Sequence, residues 1–458
     1  MYLIDQSAKK PLCIQLYAQI KKDIIENYKV GEKIPSIRKI CSSYNLSKNT
    51  VEKAYSQLVV EGYVDSIPRS GYIVTDMLYN EQEIKQVNYI EEDRKEEILY
   101  DFFPARLSKD SFPLKQWKRT FTKVIDDSID FGMYQNGQGE IGLREQISSY
   151  LINSRAVKCN CNQIVICNGF ADAMGLLAKL LNDTCKSFAI ESPGYHIARK
   201  VFTSHNFEIK DIPITKNGID LKLLKESKSK LVYITPSHQY PIGVLMPISN
   251  RLKLLDWAQE NDAYIIEDDY DSELNYINRP IPSLQGLDKN DRVIYFGTFS
   301  KSLSPAIRVG YMVLPTNILD KFKNSYLSRA SRVCITTQKV LEKFIEDGYW
   351  DRHLRKIRTL NKKKHELMKK LLKEKLKNTM KIESQGAGLA IIINPKIGLD
   401  WEKLELLAKK EKIKLYYANE RTENKWQGIM MGFGGLKKEE IEAAINIFSK
   451  IWFKSIIS

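Results

Sequence analysis

At 458 residues the chain is about three times the ~150-residue span of one domain, so at least two domains are expected, and the larger can bury a sizeable core. With 43% hydrophobic and 28% charged residues it reads as a folded soluble protein; no apolar run nears the ~20 residues that cross a bilayer, and Met1–Lys10 lacks the apolar stretch of a secretory signal, so a cytoplasmic location is expected. The net charge of +15 invites a nucleic-acid reading, but residues 1–80 carry only 11 Lys/Arg against 8 Asp/Glu; the excess sits in stretches such as Lys362–Lys377, read as a solvated helix face.

From Pro11 to Thr75 the pattern is short and punctuated. Leu16, Ile20 and Ile24 recur at near-helical spacing, with Gly31 as a stop. A second helix starts after Pro35, with Ser36 as N-cap. A third begins at Ser47 and runs through Val51, Tyr55 and Leu58 to Gly62. Tyr63-Val64 and Tyr72-Ile73-Val74 then read as two strands around a turn containing Pro68 and Gly71. Three small helices and a hairpin predict a winged helix-turn-helix over residues 1–76.

Residues 77–100 predict an acidic linker, since Glu81–Tyr100 holds seven acidic and three basic residues and few apolar anchors. From Asp101 onward apolar runs (Ile164–Cys167, Ser187–Ile190, Leu231–Ile234, Tyr264–Ile266, Val293–Phe296, Tyr311–Leu314) alternate with helical segments. Such short buried strands imply an α/β large lobe over 101–315 with a largely parallel sheet, followed by a long Lys-rich helix and a smaller lobe over 316–458. The seven cysteines are read as reduced thiols. Cys159, Cys161 and Cys167 have no nearby His or further Cys to complete a zinc site, so no metal is expected.

The strings Pro35-Ser36-Ile37-Arg38, Ser47-Lys48-Asn49-Thr50-Val51, Ala54-Tyr55, Glu61-Gly62-Tyr63 and Ser70-Gly71-Tyr72-Ile73-Val74 closely resemble the GntR-type winged helix. The resemblance implies contacts to double-stranded DNA from Ser36, Arg38, Ser47, Lys48, Asn49, Thr50, Arg69, Ser70 and Gly71, with the third helix in the major groove and the wing along the flank. Arg69 stands where the wing often has Gly. Two readings stay open: it adds a phosphate contact, or it only stiffens the turn.

Further on, Gly297-Thr298-Phe299-Ser300-Lys301-Ser302-Leu303-Ser304-Pro305-Ala306-Ile307-Arg308, with Glu267-Asp268-Asp269-Tyr270 and Thr235-Pro236-Ser237-His238-Gln239-Tyr240-Pro241, resembles fold-type I aminotransferases. Behind a GntR-type winged helix, this is similar to the MocR/GabR subfamily. The resemblance implies pyridoxal 5'-phosphate, with Lys301 as the catalytic amine that forms the Schiff base. Thr298, Ser300, Arg308 and the helix start at Gly169-Phe170-Ala171 would hold the phosphate. Asp268 would keep the pyridine nitrogen protonated, Tyr270 would bond the ring's phenolic oxygen, and Tyr240 stands where transaminases often have Asn. Tyr195 would stack on the ring, with an ordinary core role as the alternative, and Tyr134 would reach the phosphate of a partner subunit in a head-to-tail homodimer.

Two departures bear on function. Phe170 occupies a position often Ser, which removes one hydroxyl. Where aminotransferases usually carry a carboxylate-clamping Arg before Gly-Phe, this chain has Met430-Met431-Gly432-Phe433; Arg421 and Arg199 are the candidates to replace it. The expectation is therefore a regulator that senses an amine or amino-acid effector, or pyridoxal phosphate itself, with an active aminotransferase as the alternative.

Overall fold

In the computed structural model, which describes residues 2–5, 8, 10–76, 97–127, 129–276, 282–326, 329–383, 386–418 and 428–457, the chain divides into two units, Met1–Lys95 and Glu96–Ser458. Residues 77–96 of the expected linker lie outside the described residues.

The first unit is assembled from local signals. Leu16, Ile20 and Ile24 form one buried stripe on α1 (Leu12–Asn27), one residue per turn. Ser36 caps α2 (Ile37–Tyr44) by accepting from the Lys39 amide at 3.3 Å. Asn45 ends that helix in the left-handed conformation, and Leu46 turns inward. Ser47 then caps α3 (Lys48–Val60) by accepting from the Thr50 amide at 3.2 Å. Val51, Ala54, Tyr55 and Leu58 bury the inner face of α3, and the Tyr55 hydroxyl donates to the Pro35 carbonyl at 2.6 Å, fixing α3 against the start of α2. An antiparallel hairpin, β1 (Val64–Ile67) with β2 (Gly71–Val74), completes the expected winged helix-turn-helix.

The second unit opens with β3 (Tyr100–Asp101), α4 (Leu114–Asp127) and α5 (Ile141–Arg155). Then follow β4 (Ile164–Cys167), α6 (Phe170–Leu181), β5 (Ser187–Ser192), α7 (His196–Ser204), β6 (Glu208–Thr215), β7 (Gly218–Ile219), β8 (Leu231–Ile234), β9 (Tyr264–Asp268), β10 (Val293–Thr298) and β11 (Gly310–Val313). They form one sheet in the order β4-β11-β10-β9-β8-β5-β6-β7. The run β10-β9-β8-β5-β6 is parallel; β11 is antiparallel to both β10 and β4. Every residue of β4, β8 and β11 is buried, which is why these strands read as continuous apolar runs. Because β4, β5, β8, β9 and β10 all run the same way, the residues that follow them gather at one edge of the sheet, where open α/β sheets bind ligands.

The C-terminal lobe is built on an antiparallel sheet of β12 (Met380–Ile382), β13 (Ala390–Pro395) and, after β14 (Ile413–Lys414), β15 (Ile429–Gly432). The helices Tyr349–Leu376 and Lys438–Lys454 flank it. The sequence pattern places residue 101 at the start of the large lobe, whereas β3 pairs with β14 and the Gly432 amide donates to the Phe102 carbonyl at 3.0 Å. The Lys-rich stretch also differs from a wholly solvated face. Lys364 is buried, and its Nζ donates to the Gly434 carbonyl at 3.0 Å, because it shares a helix face with Asn361, His365 and Met368. Among the described residues no helix is long and apolar enough to cross a membrane.

Candidate functional site

Two adjoining cavities open at that sheet edge, of about 320 and 360 Å3. Of the residues proposed from sequence, Lys301, Asp268, Tyr270, Tyr195, Arg308, Thr298, Ser300, Phe170, Ala171 and Tyr240 all line the first. Tyr134 does not; it sits 94% exposed on the loop before α5. Lys301 follows β10, and burial holds its ammonium below the ordinary lysine range, against the pull of Asp271 and Asp268. Asp268 ends β9. Tyr233, on β8, donates its hydroxyl to Asp268 Oδ2, while Oδ1 is buried without a partner. Burial pushes this carboxyl up to about 8, so at neutral pH it ionises fully only when a cationic donor stands against it.

At the opposite end the Thr298 and Ser300 hydroxyls lie 3.0 Å apart, and the Ser300 amide donates to Thr298 Oγ1 at 3.1 Å. Arg308, in the left-handed region at φ 52, directs Nη2 to the Asn168 carbonyl at 3.3 Å. Its guanidinium covers the N-terminus of α6: a Cβ on Gly169 would come within 2.4 Å of Nη2 and displace it, and the φ of +76 there favours glycine. A guanidinium, two hydroxyls and an uncapped helix start form an anion cradle. Cradle, amine and the orphaned Asp268 oxygen fit the phosphate, aldehyde and ring nitrogen of pyridoxal phosphate. Phe170 supplies no hydroxyl; its ring packs edge-on against Tyr195, centroids 4.9 Å apart.

Sequence reasoning missed the residues that hold these groups in place. Glu191, at the end of β5, accepts from the Thr235 amide and hydroxyl at 3.1 and 2.7 Å. Gln239 Nε2 donates to the Pro193 carbonyl at 2.9 Å, and the Tyr240 amide donates to Thr235 Oγ1 at 2.9 Å. This buried network ties the Tyr195 turn to the Tyr240 turn. His238 Nδ1 lies 2.7 Å from Asp271 Oδ2 and 3.2 Å from the Tyr270 hydroxyl. Burial works against the imidazolium, but the Asp271 charge and hydrogen bond hold it above the ordinary histidine range. The Tyr270 hydroxyl also lies against Asp271, and burial with that charge pushes it well above the ordinary tyrosine range. His238 stands in a string that carried the resemblance and Asp271 just beyond another; what the sequence withheld was their pairing.

The two replacements proposed for the carboxylate clamp fare differently. Arg199 is paired with Asp211 on β6 and lines neither cavity, and Arg421 lies outside the described residues. Met430 lines the second cavity with its Sδ 3.9 Å from the Tyr240 hydroxyl.

In the winged helix-turn-helix Arg38, Ser47, Lys48 and Asn49 are exposed and Thr50 is half-buried. The Ser47 hydroxyl is engaged as cap, 2.8 Å from Thr50 Oγ1, and Lys48 pairs with Glu52 at 3.3 Å on the helix surface. Arg69 sits at the wing tip with φ 63, next to half-buried Ser70 and exposed Gly71.

Comparison with known proteins assigns both units. Residues 13–74 match the gntR family of bacterial regulatory proteins, and residues 105–417 match aminotransferase class I and II. The chain is 34% identical to the uncharacterized HTH-type transcriptional regulator YdeL of Bacillus subtilis, over 96% of this chain and 97% of the relative. It is 29% identical to the probable rhizopine catabolism regulatory protein MocR of Rhizobium meliloti, over 97% and 94%. The crystal structure of an archaeal alanine:glyoxylate aminotransferase superposes with a TM-score of 0.70 at 24% identity, over 78% of this chain and 91% of that one, a likeness of fold. The chain thus belongs to the MocR/GabR subfamily of GntR-type transcriptional regulators, in which a winged helix-turn-helix is joined to a class I and II aminotransferase domain.

Proposed function

We propose that this protein is a cytoplasmic, pyridoxal-phosphate-dependent transcriptional regulator that binds double-stranded DNA through its winged helix and senses an amine or amino acid, or pyridoxal phosphate itself, in its aminotransferase-like domain. The observation that carries this reading is the first cavity, where Lys301, the unpartnered Asp268 Oδ1 and the Thr298/Ser300/Arg308 cradle stand around one space. When bound, the cofactor supplies an aldehyde for amines and an electron-withdrawing ring. Lys301, its ammonium destabilised by burial, is the nucleophile in reach. Asp268 would accept a hydrogen bond from the protonated ring nitrogen, whose positive charge would favour the carboxylate form. Tyr270, backed by His238 and Asp271, offers its hydroxyl to the cavity, and Tyr195 closes one wall.

An effector's arrival is read where the two lobes meet. The Tyr276 hydroxyl donates to the Gly388 carbonyl at 2.5 Å and the Gly388 amide to the Leu274 carbonyl at 3.0 Å, beside the second cavity. A guest that prefers one placement of the smaller lobe shifts the population toward it, and the winged helices follow. Tyr134, exposed and outside the lining of its own chain's cavity, suits the partner's site in a head-to-tail homodimer. The test is the visible spectrum of the protein reconstituted with pyridoxal phosphate, before and after borohydride, with mapping of the labelled peptide. Labelling of Lys301 is expected; no band, or labelling elsewhere, rejects the cofactor half.

The second reading is a working aminotransferase, favoured by Lys301, Asp268, Tyr270 and Arg308 lining one cavity. Met430 stands against it, and multiple-turnover assays with amino-acid and keto-acid pairs decide.

A further inference from the structure

The second cavity shares Lys301, Tyr195, Tyr240 and Tyr270 with the first and so is the space an effector fills once pyridoxal phosphate holds the first; the inference rests on that reading. Its remaining walls are mostly apolar, with Ile242, Leu389, Ile392 and Met430 among them. Two charged groups on its wall answer each other, His238 and Asp271, at 2.7 Å, and His196 is exposed to water. The guanidiniums of neighbouring segments lie outside this cavity in partly exposed pairs, Arg199 with Asp211 and Arg106 with Asp101 at 2.6 Å. Among the described residues no arginine lines the cavity, and Lys301 is its one lysine.

An α-carboxylate carried into this space would shed its water beside a thioether and an existing carboxylate. A buried charge without a partner is costly, whereas an alkyl or aryl body buries its surface at a gain. The Tyr240 hydroxyl alone does not offset an ion's dehydration. We infer that the effector of this cavity is a primary amine on an apolar body, an alkylamine or arylalkylamine that carries no carboxylate. Its amine meets the shared boundary at Lys301 while its body lies against Met430, Ile392 and Ile242. Gly388 lies close against the His238–Asp271 pair on this wall, since a Cβ there would meet Asp271 Oδ2 at 2.8 Å.

The experiment titrates the full-length protein, reconstituted with pyridoxal phosphate, with matched pairs: phenethylamine against phenylalanine, and 3-methylbutylamine against leucine. The shift of the visible band is read, and each compound is normalised to its own reaction with free pyridoxal phosphate. The amines are expected to half-saturate at concentrations at least about ten-fold lower than the amino acids. Met430→Arg should narrow or invert that order. Amino acids binding as tightly as the amines overturn the inference, and the wild-type protein alone decides this if the variant fails to fold. Calorimetry of the same pairs separates the two layers. Absence of a visible band counts against the cofactor reading, while the calorimetric ranking of amine over amino acid still upholds or overturns the inference.

Discussion

The winged helix and the aminotransferase-like unit are put together in opposite ways. In the first, the helix starts and the wing are set by short-range contacts: Ser36 by Lys39, Ser47 by Thr50, the wing by a three-residue turn. In the second, Asp268 is held by Tyr233, Thr235 by Glu191, and Arg308 lies against Gly169. Local construction tolerates substitution in steps of about 1 kcal/mol, because each cap is one hydrogen bond in water. Long-range construction buries its polar groups, where removing one partner strands the other.

The largest expected effect follows from that burial. Asp268→Ala removes the carboxyl oxygen placed for a cationic ring nitrogen and leaves the Tyr233 hydroxyl without its acceptor. Affinity for pyridoxal phosphate should fall at least about 100-fold, roughly 3 kcal/mol, measured by spectral titration. An unchanged affinity would remove Asp268 from the site.

Next in size is a buried carboxyl outside the cofactor's reach. Burial pushes Glu191 up to about 7 from 4.5, against three hydrogen bonds from Thr235 and Gln239, and its Oε1 has no partner. The group contributes stability that is fully present below pH 4.5 and lost as pH rises through 7, since the unfolded chain releases the proton first. Glu191→Gln keeps the shape without the titration. The variant should match the wild type in stability near pH 4.5 and exceed it at pH 8 by up to about 3 kcal/mol, read as a higher melting temperature there. Equal melting at both pH values would mean that Glu191 ionises freely in place.

These two residues also mark what the sequence disclosed. Asp268 stands in a contiguous string at a strand end, as do Thr298–Arg308 and Tyr195, and strings survive in one dimension. So do the caps and the buried stripes of α1 and α3. Glu191 with Thr235, His238 with Asp271, and Tyr240 with Met430 join positions 44, 33 and 190 residues apart. Their meeting depends on the order β10-β9-β8-β5 and on how the smaller lobe closes against the large sheet, which periodicity does not encode. The pairing of Tyr100 with Ile413 is equally silent, two short runs with no pattern of their own. Arg199 shows the same limit from the other side: in the sequence it is a cation near the Tyr195 turn, and only the sheet brings Asp211 beside it.

On the local side the effects shrink. Ser47→Ala deletes the hydroxyl that caps α3 and should cost the winged helix about 1 kcal/mol. Hydrogen exchange at the Thr50 amide reads it directly. Faster exchange there with an unchanged cofactor spectrum would show the two units responding separately; slow exchange would mean that the Ser47 carbonyl, which also accepts from Thr50 N at 3.1 Å, suffices.

Arg69 is where the two modes of construction meet in one residue. At φ 63 it occupies the left-handed region that costs a side chain about 1 kcal/mol and glycine almost nothing. Glycine would relieve that strain but lose more conformational entropy on folding, so the two residues nearly balance in stability and differ chiefly in the guanidinium's charge. Arg69→Gly should therefore leave stability within about 0.5 kcal/mol, the relief of strain being offset by glycine's larger unfolded-state entropy. On mixed-sequence duplex DNA the same variant should bind more weakly, with a salt dependence shallower by about one ion per wing. A stability change with an unaltered salt slope would assign Arg69 to the turn alone. A shallower slope would make the wing tip a phosphate clamp, and the strain at that position the cost of placing a guanidinium at the wing's farthest reach.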